Sequence, residues 1–575
     1  MRRFFPFLDW VSNYKKDFLT KDLVAGLTVG IILIPQGMAY AMVAGLPPVY
    51  GLYASVFPVL VYMFLGTSRQ LAIGPVAMDS LLVAAGLGTL AITGIENYIA
   101  MAIFLAFLVG AIQLLLGLFR MGFLVNFLST PVISGFTSGA ALIIIFSQLK
   151  HLLGVNIDQS SKFHQLFINA IGKFADTNIY DFVLGIAGIF IIILLKKWNR
   201  KIPSILVVVV LGILTVFFLD LQQYGVKLVG EIPKGLPDFQ LPNINFQNVM
   251  DLWPIALTLA LVGYLEAISI GKSMEEKSKE DRIDANQELV ALGTSNIIGS
   301  FFHAYPVTAS FSRSAISNDA GGKTNGFALF SVIMVVVTLL FLTPLFYFLP
   351  NAVLASIIMV SVFGLIDVEY PKTLWKFRKD EFVVLMLTFL ITLFIGIKEG
   401  VLIGVLLSLL LMVYRTSKPH FAVLGKIRGS DYYRNVERYG DEIEDRADLL
   451  IVRFDSQLYF GNKNYFKSQL MKKVNAKGDK LKGVILNAEA INYIDSTAAN
   501  MLISVINELH GRKLEFYIAG AIGPTRDIIF SSGIIDALRK ECLFVRTKEA
   551  VANLDNPDIR PNFQQKIAHQ RTIPW

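Results

Sequence analysis

Between residues 22 and 415 the chain is a succession of apolar runs, each long enough, or nearly so, to cross a bilayer as a helix of about 20 residues. No water-soluble globule buries that many. The runs fall at 23–43, 50–66, 71–90, 98–119, 124–149, 181–196, 203–219, 252–271, 285–302, 305–319, 326–349, 351–367, 381–396 and 399–414, fourteen in two sets of seven. A content of 54% hydrophobic and only 17% charged residues, with a mean hydropathy of +0.57, agrees with a multi-span protein in the lipid bilayer. Residues 1–22, with Arg2, Arg3, Lys15 and Lys16, form an amphipathic segment that leads into a full-length run without a small-residue cleavage site, so a cleaved signal is not expected.

Basic clusters give an independent check on the count. They lie before the first run, at 196–201, at 272–282 and at 372–379, and each internal cluster follows an even-numbered run. Both termini are therefore expected in the cytoplasm, as in a bacterial-type cell inner membrane. The segment 150–180, with Lys150, Lys162 and Lys173, fits this rule least well. The net charge of +8 reads as cytoplasmic loops, and no nucleic-acid partner is expected. Cys542 is the single cysteine, and His151, His164, His303, His420, His510 and His569 lack metal-ligand spacing. No complete Gly-x4-Gly-Lys-Ser/Thr phosphate loop is present, which argues against ATP-driven pumping. Neither cofactor, metal nor enzymatic activity is expected.

Two runs are broken by polar residues. The stretch Tyr305-Pro-Val-Thr-Ala-Ser-Phe-Ser-Arg-Ser-Ala-Ile-Ser-Asn-Asp-Ala-Gly-Gly322 is too short and polar for an ordinary span. A helix starting after Pro306 and stopped by Gly321-Gly322 places Ser310, Arg313, Ser314 and Ser317 on one face. In Gln70-Leu-Ala-Ile-Gly-Pro-Val-Ala-Met-Asp-Ser80, Gly74-Pro75 similarly opens a short helix in mid-span. Half-helices offer free backbone N–H groups and a positive dipole end to an anion. Interrupted segments in corresponding halves point to a transporter site built on an inverted repeat.

Beyond residue 415 the composition changes. Residues 416–445 read as a linker, and 446–553 as a compact α/β module with strands at 449–454, 483–486 and 514–519 and helices around 462–474, 496–510 and 524–532. Residues 554–575 read as a C-terminal tail.

The segment from Pro48 to Ala77 resembles the signature region of the SulP family of inorganic-anion transporters, as do Asn286-Gln-Glu-Leu-Val-Ala-Leu-Gly293, Ser310-Phe-Ser-Arg-Ser314 and Gly321-Gly-Lys-Thr324. The soluble module resembles the STAS domain of those proteins, with Asp495-Ser-Thr-Ala498 in place of the Asp-Ser-Ser-Gly loop of anti-sigma-factor antagonists. The resemblance implies a seven-plus-seven inverted repeat, with a core (spans 1–4 and 8–11) and a gate (spans 5–7 and 12–14). It also implies a homodimer with an elevator-like motion.

Each candidate residue has two readings. Gln36 either bonds a carbonyl freed by Pro35 or, as the resemblance implies, faces the anion together with Tyr40, one turn further on. Arg313 needs a partner or a wet cavity at bilayer depth; it either neutralises Asp79 or Glu266 or lends positive potential to an anion. The substrate-binding candidates are Gln36, Tyr40, Pro75, Val76, Ala77, Thr308, Ser310, Phe311, Ser312 and Arg313. Glu266 is the proton-coupling candidate, because an ionised carboxylate beside an anion site opposes binding and a protonated one does not. An acidic residue here resembles the proton-coupled members of the family, whereas animal exchangers often have a neutral one. A salt bridge to Lys272 or Arg313, or a sodium site, is the alternative, although Ile270 stands where a hydroxyl partner would be needed. Ser496 and Thr497 are regulatory candidates, their sequence serving equally as a helix N-cap.

The expected function is proton-coupled symport of a small inorganic oxyanion, sulfate before bicarbonate. An exchanger or channel of the same fold is the rival mechanism. A membrane-tethered regulator whose STAS domain binds a cytoplasmic protein is the rival class.

Overall fold

The computed structural model describes residues 6–557 apart from 13, 89, 91, 124–128, 158–159, 161, 200–201, 243–244, 279–282 and 445. Most of the expected C-terminal tail lies outside the described residues. The chain divides into two compact units, Met1–Ser408 and Leu409–Trp575.

Fourteen crossings form two inverted sets of seven, the last of them running past Ser408. The first set comprises α1 (Lys16–Val43), the pair α2 (Val49–Tyr53) and α3 (Phe57–Leu65), strand β1 (Ile73–Gly74) with α4 (Ala77–Leu87), α5 (Ile95–Leu118), α6 (Thr130–Ser147), α7 (Ile179–Trp198) and α8 (Ser204–Leu219). The second set comprises α9 (Phe246–Ser278), α10 (Ala285–Ser300), strand β2 (Thr308–Ala309) with α11 (Phe311–Asp319), α12 (Phe327–Val337) with the turns that follow it, and α13 (Asn351–Phe363). After the short surface helix α14 (Glu369–Phe377) it closes with α15 (Lys379–Phe394) and α16 (Ile397–Ser417). Among the described residues, seven helices are long and apolar enough to cross by themselves. The other crossings are short or broken, so their backbone ends must be satisfied by neighbours.

Burial separates inner from outer spans. The apolar window of Phe246–Glu275 is 72% buried, against 22% for Ile179–Trp198 and 17% for Glu399–Ser417. Outer faces carry Phe190, Leu194 and Phe218 to the lipid. Close helix approach inside depends on small residues. A Cβ on Gly110 would lie 2.6 Å from the Gly293 carbonyl oxygen, and one on Gly293 would lie 2.5 Å from Leu114 N, which locks α5 against α10 at backbone contact distance.

The two interrupted crossings depart from the expected helices. The second half-helix begins at Phe311, and Ser310 is its N-cap residue. Thr308 and Ala309 are extended and pair antiparallel with β1, Ile73 opposite Ala309 and Gly74 opposite Thr308. The first half-helix likewise begins at Ala77 and not at Gly74-Pro75. The reason is hydrogen bonding: at this depth each freed backbone group needs a partner, and two extended stubs supply one another.

In the second unit a sheet runs in the order β4 (Tyr433–Asn435), β3 (Phe421–Ile427), β6 (Leu449–Phe454), β7 (Gly483–Asn487), β8 (Glu515–Ala519), β9 (Leu543–Phe544), with β5 (Ile443–Glu444) also on β3. Strands β6 to β9 are parallel, and β3 is antiparallel to β6. Helices α17 (Lys463–Lys477), α18 (Ser496–Gly511), α19 (Gly523–Ser531) and α20 (Thr547–Asp555) complete the unit, and Phe454, Phe466 and Phe516 are fully buried in its core. Residues 416–445, read as a linker, instead supply three strands of this sheet. Strand β3 turns only Ala422 and Leu424 fully inward along one face, so its pattern is too dilute to stand out beside the charged hairpin that follows. Arg446 ties this region to the last helix, bonding Asp448 at 2.8 Å and Asp555 at 2.6 Å. Its hydrogen bond holds the Asp448 carboxyl below the ordinary carboxylate range.

Asp495 caps α18, its Oδ1 accepting from Ala498 N at 2.7 Å and its Oδ2 from Phe460 N at 2.7 Å. Asp495→Ala orphans both donors, and thermal unfolding of the soluble unit, followed within the full chain, is expected to show a loss of about 1–2 kcal/mol.

Candidate functional site

The pairing of β1 with β2 sets the ends of α4 and α11 beside one another. Ala72 extends the pairing: its carbonyl accepts from Ser310 N at 2.9 Å, and its N–H donates to Ser314 Oγ at 2.9 Å. Asn296 on α10 does the same for Val307, accepting from its N–H at 2.9 Å and donating to its carbonyl at 3.1 Å. Asn296 also donates to Gln113 Oε1 at 3.2 Å, and Gln113 donates to the Ala260 carbonyl at 3.1 Å. The broken backbone is thus stitched to α5, α9 and α10. Neither α4 nor α11 has a side-chain cap, so the N–H groups of both first turns have no capping acceptor.

Arg313 lies on the buried face of α11 with Ser314 and Ser317, all three fully buried. Its Nη1 donates to Gln36 Oε1 at 3.4 Å, and its Nη2 stands where a Cβ on Gly74 would come within 3.3 Å. Gly74 has φ +144°, and the absent side chain leaves the guanidinium its place. Three spans, the first, third and tenth, therefore meet at one cation. Its Nε and Nη2 have no hydrogen-bond partner, and it forms no ion pair within 4 Å among the described residues. Both neutralising pairs weighed for it, with Asp79 and with Glu266, are absent as direct contacts.

The carboxylates stand further back. Asp79, 2% exposed in the first turn of α4, leaves Oδ1 unpartnered among the described residues, and its Oδ2 is 3.2 Å from the position of a Cβ on Gly263. Thr308 Oγ1 donates to the Gly263 carbonyl at 2.7 Å, which fixes α9 against β2 less than one turn before Glu266. Glu266 Oε2 is buried without a partner among the described residues, and the group lies within electrostatic reach of Asp79 and Arg313. The bridge from Glu266 to Lys272 is also absent among the described residues.

The remaining candidates divide. Gln36 and Tyr40 are buried on α1, which runs unbroken through Pro35. Pro75, Val76 and Ala77 are buried at the start of α4. Ser310 Oγ lies 3.3 Å from Ser312 Oγ, whereas Phe311 and Ser312 are exposed. Ser496 and Thr497 belong to the second unit, where Ser496 is exposed in the first turn of α18.

Four residues that were not singled out do much of the positioning. Asp22, fully buried on α1, accepts from Lys323 N at 2.7 Å, Thr324 N at 3.1 Å, Thr324 Oγ1 at 2.5 Å and Tyr14 OH at 3.0 Å. Glu288 on α10 accepts from Thr67 N at 2.7 Å, Thr67 Oγ1 at 2.5 Å, Ser68 N at 3.2 Å and Tyr62 OH at 2.8 Å. One carboxylate thus grips the loop that leaves α11, and the other grips the loop that leads to β1. Asn296 and Gln113 complete the set. For Asn296 and Gln113, a lone amide inside an apolar run is the available signal.

The arrangement is a bilayer-embedded inverted repeat with a cationic centre between two broken spans, the architecture of a secondary transporter. Residues 19–388 match the Sulfate permease family and residues 442–551 the STAS domain; the chain belongs to the Sulfate permease family. It is 39% identical over 568 residues to the chloroplastic sulfate transporter 4.1 of Arabidopsis thaliana, covering 95% of this chain and 82% of that protein. It is 34% identical to the high affinity sulfate transporter 2 of Stylosanthes hamata, covering 95% and 86%. Among solved structures it is similar to the murine Solute Carrier 26 family member A9 anion transporter in the inward-facing state, with a TM-score of 0.88, 28% identity and coverage of 96% and 94%. The transmembrane domain of a cyanobacterial bicarbonate transporter shares the membrane fold, with a TM-score of 0.57 at 22% identity.

Proposed function

We propose that the protein is a secondary active transporter that couples a small inorganic oxyanion, sulfate foremost, to protons. The observation that carries the reading is the buried guanidinium of Arg313, with two donor nitrogens unpartnered beside two uncapped helix ends. Such donors are costly in a low-dielectric interior unless an anion completes them. Gln36 orients the guanidinium, first-turn N–H groups of α4 and α11 approach the oxyanion, and Ser310 and Ser312 supply hydroxyls, while Thr308, its proton held by the Gly263 carbonyl, keeps β2 against α9. The names of the sulfate-transporting relatives favour sulfate.

Charge balance supports proton coupling. With Asp79 and Glu266 both ionised, the centre carries two negative charges against one positive, and a divalent anion entering it is repelled. A proton on Glu266 removes that repulsion, so proton and anion travel together. Core spans then move against gate spans in an elevator-type displacement within a homodimer. Both termini face the cytoplasm, in the cell inner membrane. Ser496, exposed at a helix N-terminus, is placed where a phosphate would be favoured by the helix dipole, so Ser496 and Thr497 remain the regulatory candidates for a cytoplasmic partner.

The test is radiolabelled sulfate uptake into proteoliposomes with and without an inward proton gradient. The native protein is expected to accumulate sulfate only with the gradient, and Glu266→Gln to lose accumulation while retaining sulfate–sulfate exchange. Equal uptake with and without the gradient would make the protein an exchanger or channel. No uptake in either condition would move the substrate to bicarbonate.

A further inference from the structure

Helix α14 belongs to no crossing. Its nine residues, Glu-Tyr-Pro-Lys-Thr-Leu-Trp-Lys-Phe, are too few and too charged to span, and it turns Leu374 inward while Trp375 and Phe377 stay exposed. A short amphipathic helix with an exposed tryptophan between two spans has the character of an element lying in the membrane interface. Lys372 and Lys376 are one turn apart on it, so their ammonium groups extend from one face. Among the described residues neither forms an ion pair. Lys379, at the start of α15, stands over the Trp375 ring at 5.7 Å and adds a third cation to this edge.

Below these lysines, α14, α15 and α6 enclose a groove of about 510 Å³, a size typical of ligand sites. It is lined by the apolar Ile366, Leu385, Met386 and Phe389 and by Lys372 and Lys376. Its polar residues are already engaged. Asp367 Oδ1 accepts from Glu369 N at 3.1 Å and Tyr370 N at 3.0 Å, and Ser138 Oγ accepts from Asp367 N at 3.3 Å. An apolar slot with free cations at its rim complements a molecule with a hydrocarbon body and an anionic head.

We propose that this groove is a binding site for an anionic glycerophospholipid, with an acyl chain on Ile366, Leu385 and Phe389 and the phosphate between Lys372 and Lys376. Basic pockets between spans at the interface select such headgroups by charge. Occupancy braces α14 between α6 and α15. The site is distinct from the anion centre at Arg313 and does not depend on what is transported.

The test uses purified full-length protein, incubated in detergent micelles containing equimolar phosphatidylglycerol, phosphatidylcholine and oleate, with retained lipid counted by native mass spectrometry. Phosphatidylglycerol is expected to be retained roughly tenfold over phosphatidylcholine, as two lysines near an anionic headgroup imply. The pair Lys372→Gln and Lys376→Gln, both surface changes, is expected to bring the two lipids to parity. Met386→Trp, which fills the groove, is expected to remove the retained phosphatidylglycerol. Equal retention by the native protein, or a preference that survives both variants, overturns the proposal. So does loss of a dimer on Met386→Trp, which would make the groove a contact between copies, or oleate retained as well as phosphatidylglycerol, which would make it a fatty-acid site.

Discussion

Arg313→Gln is expected to weaken sulfate binding by about 10- to 100-fold, and Arg313→Glu to bring it below detection. The first figure follows from the loss of charge-assisted hydrogen bonds worth about 1.5–3 kcal/mol, the second from replacing attraction by repulsion in a site with two carboxylates nearby. Arg313→Lys restores the charge but not the planar fork that reaches Gln36 and lies against Gly74, so an intermediate loss is expected. Gly74→Ala should mimic part of the effect without touching the charge, since its Cβ crowds Nη2 and its φ suits glycine. Equilibrium binding of labelled sulfate to the detergent-solubilised protein measures all four. Native affinity in Arg313→Gln would remove the guanidinium from the site.

Loss of either loop-gripping carboxylate is expected to cost more stability than any other single change near the site. Glu288→Ala leaves the N–H groups of Thr67 and Ser68 and the hydroxyls of Thr67 and Tyr62 without their acceptor, and Asp22→Ala does the same to Lys323, Thr324 and Tyr14. With about 1–3 kcal/mol for a buried donor left unsatisfied, and partial rescue by water, a loss on the order of 3 kcal/mol is expected for each. Asp22→Asn keeps one acceptor oxygen and turns an amide NH₂ toward two hydroxyls, so it should fall between. Thermal unfolding of the detergent-solubilised full chain reads the effect. An unchanged midpoint in both alanine variants would show that these loops are held by other means.

Much of this architecture is legible in the sequence, and the limits have physical causes. Run length and basic clusters locate the crossings because lipid imposes both. The shared face of Arg313, Ser314 and Ser317 is read from helical spacing alone and does not depend on where the helix begins. The two-residue strands are illegible because two residues have no period, and Thr308 was assigned to a helix for that reason. Asp22 and Glu288 give no signal of their own: each sits near the end of an apolar run, where an acidic residue resembles the edge of a loop, and half of their donors are backbone groups far away in the chain. The strand at 421–427 was hidden differently, by a pattern that is half-buried and set beside a charged hairpin.

The pairing of β1 with β2 also constrains how the protein is made. Ile73 and Gly74 enter the bilayer long before Thr308 and Ala309 have been synthesised. Until then the first repeat carries an open strand edge, with backbone N–H and C=O groups that hydrocarbon cannot satisfy. Closing it requires contacts across more than half of the membrane unit, and contacts of such sequence separation form late. The centre at Arg313 is therefore among the last features to assemble, and the amino-terminal half of the chain alone lacks Arg313 and the second half-helix.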